Sequence, residues 1–120
     1  MSYEKIEYNI ETTPEFDKEY RRLSKKFPQS MDEIDNMISE LAEGNLIGDE
    51  YDNLGLDSNH KVYKVKIANP QMRQGKSNGF RLIYYLVVDD KEILLLSIYY
   101  KKDKANLTQQ EIRKILKQYI

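Results

Sequence analysis

Lys64 and Lys66 stand two apart in the alternating run KVYKVKIAN, and Arg81 lies in a second such run, GFRLIYYLVV. Residues i and i+2 of a strand point to the same face. Two lysines therefore share one surface, and a neighbouring strand brings an arginine to it. A third run, EILLLSIYYKK, adds Tyr99 and Lys101 on one parity. Cations gathered on a sheet beside tyrosines suit a polyanion such as RNA. Cleavage of RNA by its own 2′-hydroxyl needs a base, a cation for the charge growing on the phosphoryl oxygens, and an acid for the leaving oxygen. Lysines, an arginine and a tyrosine supply all three without a metal. A lysine acting as base requires a lowered pKa, which cationic neighbours favour. The same lysines also serve simply to solvate an exposed sheet, so the pattern alone leaves both roles open.

The charge distribution points the same way. No Asp or Glu occurs between Asp57 and Asp89, while Lys61, Lys64, Lys66, Arg73, Lys76 and Arg81 do. Residues 1–60 hold 6 Lys and Arg against 15 Asp and Glu, or −9; residues 61–120 hold 13 against 5, or +8. The net charge of −1 conceals this split. It fits either a polyanion-binding half or an acidic helical half solvated beside a basic sheet.

Other chemistries find little support. The chain has no cysteine, hence no disulfide framework or thiolate site. His60 is the single histidine, which argues against zinc, and it reads as a surface residue at a loop-to-strand junction. No nucleophile elbow accompanies it. Gln74-Gly75-Lys76-Ser77 has only the tail of a phosphate-binding loop and lies between strands rather than before a helix. The acidic side chains, such as Glu15, Asp17, Glu19, Asp32 and Asp35, read as solvated helix faces and first-turn partners of the helix dipole. No apolar run approaches the roughly 20 residues of a membrane span. The first residues are acidic and lack an apolar segment, so no signal peptide is expected. The expected location is the cytoplasm, with no cofactor and no metal.

The elements that position these residues follow from periodicity. Ile6, Tyr8 and Ile10 alternate with polar residues as a half-buried strand. Thr13-Pro14 opens a helix with the stripe Phe16, Tyr20, Leu23 and Phe27, closed by Pro28. A second helix starts at Ser30, where Ser30 and Glu33 fit a capping box. Its buried stripe is Ile34, Met37, Ile38 and Leu41, and Gly44 ends it. The two helices are expected to form a hairpin, and residues 45–60 read as a loop. Strands are expected over 61–69, 79–88 and 92–100, with a hairpin turn at Asp89-Asp90-Lys91. Thr108 and Glu111 form a capping box before a last helix with Ile112, Ile115, Leu116 and Tyr119 inward.

The expected architecture is one α+β domain over 1–120. It has an N-terminal strand, a helical hairpin, a three-stranded antiparallel meander and a C-terminal helix, with helices on one sheet face. Tyr63, Val65 and Ile67 would face the helices together with Leu96, Ile98 and Tyr100. Lys64, Lys66, Ser97, Tyr99 and Lys101 would lie on the open side. Arg81, at a strand start, is expected to be solvated, and Phe80 to be core.

The stretch VYKVKIANPQMRQGKSNGFRLIYYL, followed by EILLLSIYYKKDKANLTQQEIRKIL, resembles the RelE/HigB branch of the RelE/ParE toxin superfamily. The signals are the turn and strand GKSxGFRxIYY, the strand LLLSIYYKK and the helix lead KANLTxxE. They run from about residue 61 to 117, while the first half matches in layout. The chain has Asn78-Gly79 where the family turn usually reads Gly-Gly, and Asn tolerates left-handed backbone.

The resemblance implies helices on a small twisted sheet. It implies a type II toxin that cuts mRNA, commonly on the ribosome, without metal. It also implies a cognate antitoxin as partner, small and with a DNA-binding helix-turn-helix. By position, Lys64, Lys66, Arg81, Tyr99 and Lys101 match the family's catalytic region. Arg73, Lys76, Lys102 and Lys104 would contact substrate. The alternatives on this scaffold are a ParE-like inhibitor of DNA gyrase, which cuts nothing, and a binding module without catalysis.

Overall fold

In a computed structural model the described residues are 7–104 and 106–119. The elements are β1 (Asn9–Thr12), α1 (Pro14–Lys26), α2 (Met31–Ala42), β2 (Asp49–Glu50), β3 (His60–Ile67), β4 (Phe80–Val87), β5 (Glu92–Tyr100) and α3 (Gln109–Leu116). They form one five-stranded sheet in the order β1-β5-β4-β3-β2. β3, β4 and β5 are the expected antiparallel meander. β1 adds to β5 in parallel, with Thr12 opposite Leu95. The alternation beginning at Ile6 falls partly outside the described residues.

Local chemistry sets the helix ends. Thr13 caps α1: its Oγ1 accepts from the Phe16 N–H at 3.0 Å, and Pro14 occupies the first turn. Thr108 caps α3, accepting from the Glu111 N–H at 3.1 Å. The expected capping box at Ser30 does not form. Ser30 Oγ instead donates to Asn69 Oδ1 at 2.5 Å and accepts from the Gln71 N–H at 2.9 Å. Buried Ser30 thereby ties the start of α2 to the connection between β3 and β4. Ser30 itself has φ −103° and ψ −6°, not the extended backbone that aims a cap hydroxyl at its own helix.

The loop expected over 45–60 contains β2, paired with Lys64 and Tyr63 of β3. Gly48 makes this approach possible. Its φ is +127°, and a Cβ there would sit 2.7 Å from the Lys64 carbonyl oxygen.

The larger correction concerns layers. α1 and α2 cover one face over Val65, Ile67, Phe80, Leu82, Tyr84 and Ile98, as the parity of β3 and β4 requires. The opposite face is not open. Val62, Ile83, Tyr85, Leu96 and Tyr99 there pack with Leu107, Ile112 and Leu116 of α3 and its lead. Leu54 and Leu56 close the edge of this second cluster. Helices thus lie on both faces. A signal for this was present: Leu82 to Val88 is a continuous apolar run, as in strands buried on both sides.

Strict alternation also fails in β5. Ile83 pairs with Ser97 and Tyr84 with Leu95, which leaves Leu96 as the extra residue of a β-bulge. One added residue inverts the parity. Ile93 and Leu95 join Ile98 and Tyr100 under α1, whereas Leu96 turns to the α3 side with Tyr99. The Thr13 side chain meets the carbonyls at this irregularity, Leu95 at 3.2 Å and Leu96 at 3.0 Å.

Candidate functional site

Pairing across the meander aligns three of the expected residues. Lys66 is directly opposite Arg81, and Arg81 is opposite Tyr99. With strands about 4.8 Å apart, the row is about 10 Å long. Lys64 lies two residues along β3, about 7 Å from Lys66, on the same face. Lys64, Lys66, Arg81 and Tyr99 therefore do share one sheet face, though not an accessible one throughout.

Lys66 is exposed, and none of the ion pairs among the described residues involves it. Lys64 is half-buried. Its Nζ lies 3.4 Å from Asn106 Oδ1 and 5.9 Å from the centre of the Tyr51 ring. Tyr51 and Asn106 stand outside every strand expected from the sequence, and no pattern marked them.

Arg81 is 3% exposed, contrary to the solvated position expected for it. Its Nη1 donates to the Lys76 carbonyl at 2.9 Å and the Phe80 carbonyl at 3.1 Å. Its Nη2 donates to the Ser77 carbonyl at 2.9 Å. Lys101 Nζ adds a bond of 2.7 Å to the same Ser77 oxygen. The two cations hold the 3-10 turn Lys76–Asn78 against the sheet. Gly79 lets that turn close, because a Cβ there would lie 2.0 Å from the Ile67 carbonyl oxygen. Arg81 Nε and the second Nη2 hydrogen have no protein acceptor among the described residues, so part of the fork stays available.

Tyr99 is 4% exposed, lying beneath the lead to α3 rather than on an open surface. Its hydroxyl accepts from the Leu107 N–H at 3.3 Å, and the Tyr51 hydroxyl donates to the Leu107 carbonyl at 3.1 Å. Burial pushes the Tyr99 hydroxyl above its usual pKa, opposed by the Leu107 N–H and the Arg81 charge. Tyr99 thus keeps its proton through the neutral range and is suited to donate, not to act as a base.

The remaining expected contacts ring this row. Arg73 and Lys76 are exposed on the β3–β4 connection, Arg73 at φ +54°. Lys102 and Lys104 are exposed after β5, and Lys104 pairs with Glu111 at 3.0 Å. His60 stands apart at the other end of β3. It is half-buried and hydrogen-bonded to the Tyr85 hydroxyl. No cluster of three His, Cys, Asp or Glu able to hold a metal occurs among the described residues. No helix among them is long and apolar enough to cross a membrane.

Buried tyrosines bear on alkaline stability. Burial raises Tyr51 to about 12, and burial with the Asp35 carboxylate raises Tyr20 to about 12. A folded-state pKa above the unfolded value of about 10 gives stability that is complete below pH 10 and lost as pH rises toward 12. The urea midpoint is expected to be flat from about pH 7 to 9 and to fall beyond about pH 10. A midpoint unchanged up to about pH 11 contradicts this.

No protein-family model matches the chain, and no curated protein sequence does. Among solved structures it matches a double arginine mutant of the E. coli toxin RelE in the free state. The TM-score is 0.56 at 15% identity, over 96% of this chain and 100% of that one. The chain has a RelE-like fold. The likeness spans the N-terminal half as well, where the sequence matched only in layout. It extends the RelE-like arrangement to β1, an edge strand of the sheet that carries the row, and to α1 and α2, which back that sheet. At this identity the likeness is one of architecture, and the chemistry rests on the side chains themselves.

Proposed function

We propose that the chain is the toxin of a type II toxin–antitoxin pair. In this reading it is a metal-independent mRNA endoribonuclease that lowers translation in the cytoplasm, working with the ribosome. The observation that carries it is the Lys66–Arg81–Tyr99 row across the RelE-like sheet. Lys66, helped by Lys64, takes the 2′-hydroxyl proton or clamps the phosphate. The unspent part of the Arg81 fork meets the charge growing on the phosphoryl oxygens. Tyr99 or Lys101 protonates the leaving oxygen. Arg73, Lys76, Lys102 and Lys104 hold the flanking backbone, where such contacts position rather than select. The Leu107 segment must lift for Tyr99 to reach RNA.

The proposed partner is a small antitoxin with a DNA-binding helix-turn-helix, encoded nearby. Its acidic segment would occupy the Lys64–Lys66 surface or replace α3. α3 and its lead pack on the sheet through one stripe, Leu107, Ile112 and Leu116, which a partner helix of the same pattern would replace.

Induction of the chain without a partner tests the function. Growth is expected to stop with transcripts cut at mappable sites and protein synthesis falling. Intact message with collapsing DNA supercoiling would instead establish the gyrase-inhibitor reading.

A further inference from the structure

β1 covers β5 only from Glu92 to Leu95, so the edge from Ser97 onward has no strand beside it. α1 packs there instead, and a pocket of about 310 Å³ opens between α1, β5 and the residues after β5. Arg22, Glu19, Asp103, Lys104, Ser97 and Tyr99 line it. Arg22 spans Glu19 and Asp103, with its Nη2 at 3.1 Å from each. Tyr99 ends the Lys66–Arg81–Tyr99 row, so the pocket continues that row beyond the sheet edge.

The lining differs in kind from the row. Two cations face two carboxylates, and Arg22 is already neutralised by both. A phosphate placed there would meet Glu19 and Asp103. It is repelled by that pair, whereas a neutral group with N–H donors is accepted by it. Each carboxylate has about four acceptor positions. Arg22 bonds both oxygens of Glu19 and one of Asp103, and Lys26 Nζ lies 3.7 Å from the other Asp103 oxygen, which leaves lone pairs on each carboxylate. The side chains of Arg22, Glu19 and Asp103 are 33–47% exposed, hence reachable. The volume is at the lower end for a small-molecule site, roughly 300–1,000 Å³.

We propose that this pocket receives the nucleobase beside the phosphate held by the row, and that Glu19 and Asp103 favour a base with an exocyclic amine over uracil. The inference rests on the RNA reading above. Carboxylates accept from the N4 amine of cytosine, whereas the O4 of uracil in the same place would oppose them. Arg22 offers a guanidinium plane for the base to stack on.

The test uses 2′-O-methyl nonamers of cytidine and of uridine, which bind but lack the attacking hydroxyl. The full chain is expected to bind the cytidine nonamer about tenfold more tightly at one fixed salt concentration. Glu19→Gln with Asp103→Asn should bring the ratio near one. Lys66→Ala should weaken both nonamers alike. Equal affinity for the two in the unaltered chain, a ratio untouched by the double substitution, or no binding of either overturns the proposal. A ratio that collapses as expected in a protein that cuts no RNA upholds the pocket and removes the cleavage reading. RNA cleavage with an unaltered ratio does the reverse.

Discussion

Arg81→Ala is expected to lower stability by about 3 kcal/mol and to abolish RNA cleavage. The sequence placed this residue in solvent, where its loss would leave the fold untouched. The structure buries it with no carboxylate partner among the described residues, and its guanidinium donates to the carbonyls of Lys76, Phe80 and Ser77. Hydrogen bonds to a charged group contribute about 1.5–3 kcal/mol each, and removal leaves the buried Phe80 oxygen without this donor. For a domain of this size, about 3 kcal/mol corresponds to roughly 10 °C in Tm. Arg81→Lys keeps the charge but not the fork, so it should recover part of the stability and little of the cleavage. Calorimetry and single-turnover cleavage separate the two effects. An Arg81→Ala protein that melts like the unaltered chain refutes the stapling role. One that cleaves at full rate with saturating RNA refutes the catalytic one.

Lys66→Ala is expected to cut the cleavage rate about a hundredfold, equivalent to about 2.7 kcal/mol of transition-state stabilisation, with Tm unchanged within about 1 °C. Its side chain is exposed at the open end of the row, so nothing in the core depends on it. It faces Arg81 across β3 and β4, within reach of a phosphate bound between them. Lys76→Ala offers the contrast. Lys76 is exposed on the turn, and among the described residues its carbonyl is bonded while its side chain has no hydrogen bond or ion pair. Its loss should weaken binding and flatten the salt dependence by about one unit of slope, with saturated turnover near normal. Equal losses of saturated rate in the two variants would remove Lys66 from the chemistry.

The helices were legible because their signals are local. Thr13-Pro14 and the Phe16–Phe27 stripe act within a few residues and behave as read. Thr108 caps the Glu111 N–H, but the Glu111 carboxylate turns to the Thr108 hydroxyl and Lys104. Tyr119, expected inward, lies exposed beyond the end of α3. The parity of β3 was legible for the same reason: Val65 and Ile67 face α1 and α2, and Lys64 and Lys66 face away. Ser30 shows where local reading ends. Its hydroxyl satisfies a capping pattern on paper, but Asn69 and Gln71, about forty residues away, take it.

By itself, then, the sequence determined the order of elements apart from β2, most of the apolar stripes and the concentration of cations on one side of β3. Alternation and capping are properties of neighbouring residues. Only the tertiary structure decided how exposed the candidate site is. The extra residue at Leu96 flips part of β5, and α3 folds back over Tyr99 because the second sheet face is also apolar. Arg81 goes inward because the turn it holds presents carbonyls that need a donor. Arg22 and Tyr99 line one pocket because β1 stops at Thr12, opposite Leu95, and leaves the edge of β5 beyond it without a strand. Each outcome depends on contacts between segments far apart in the chain, and residue spacing carries no record of them.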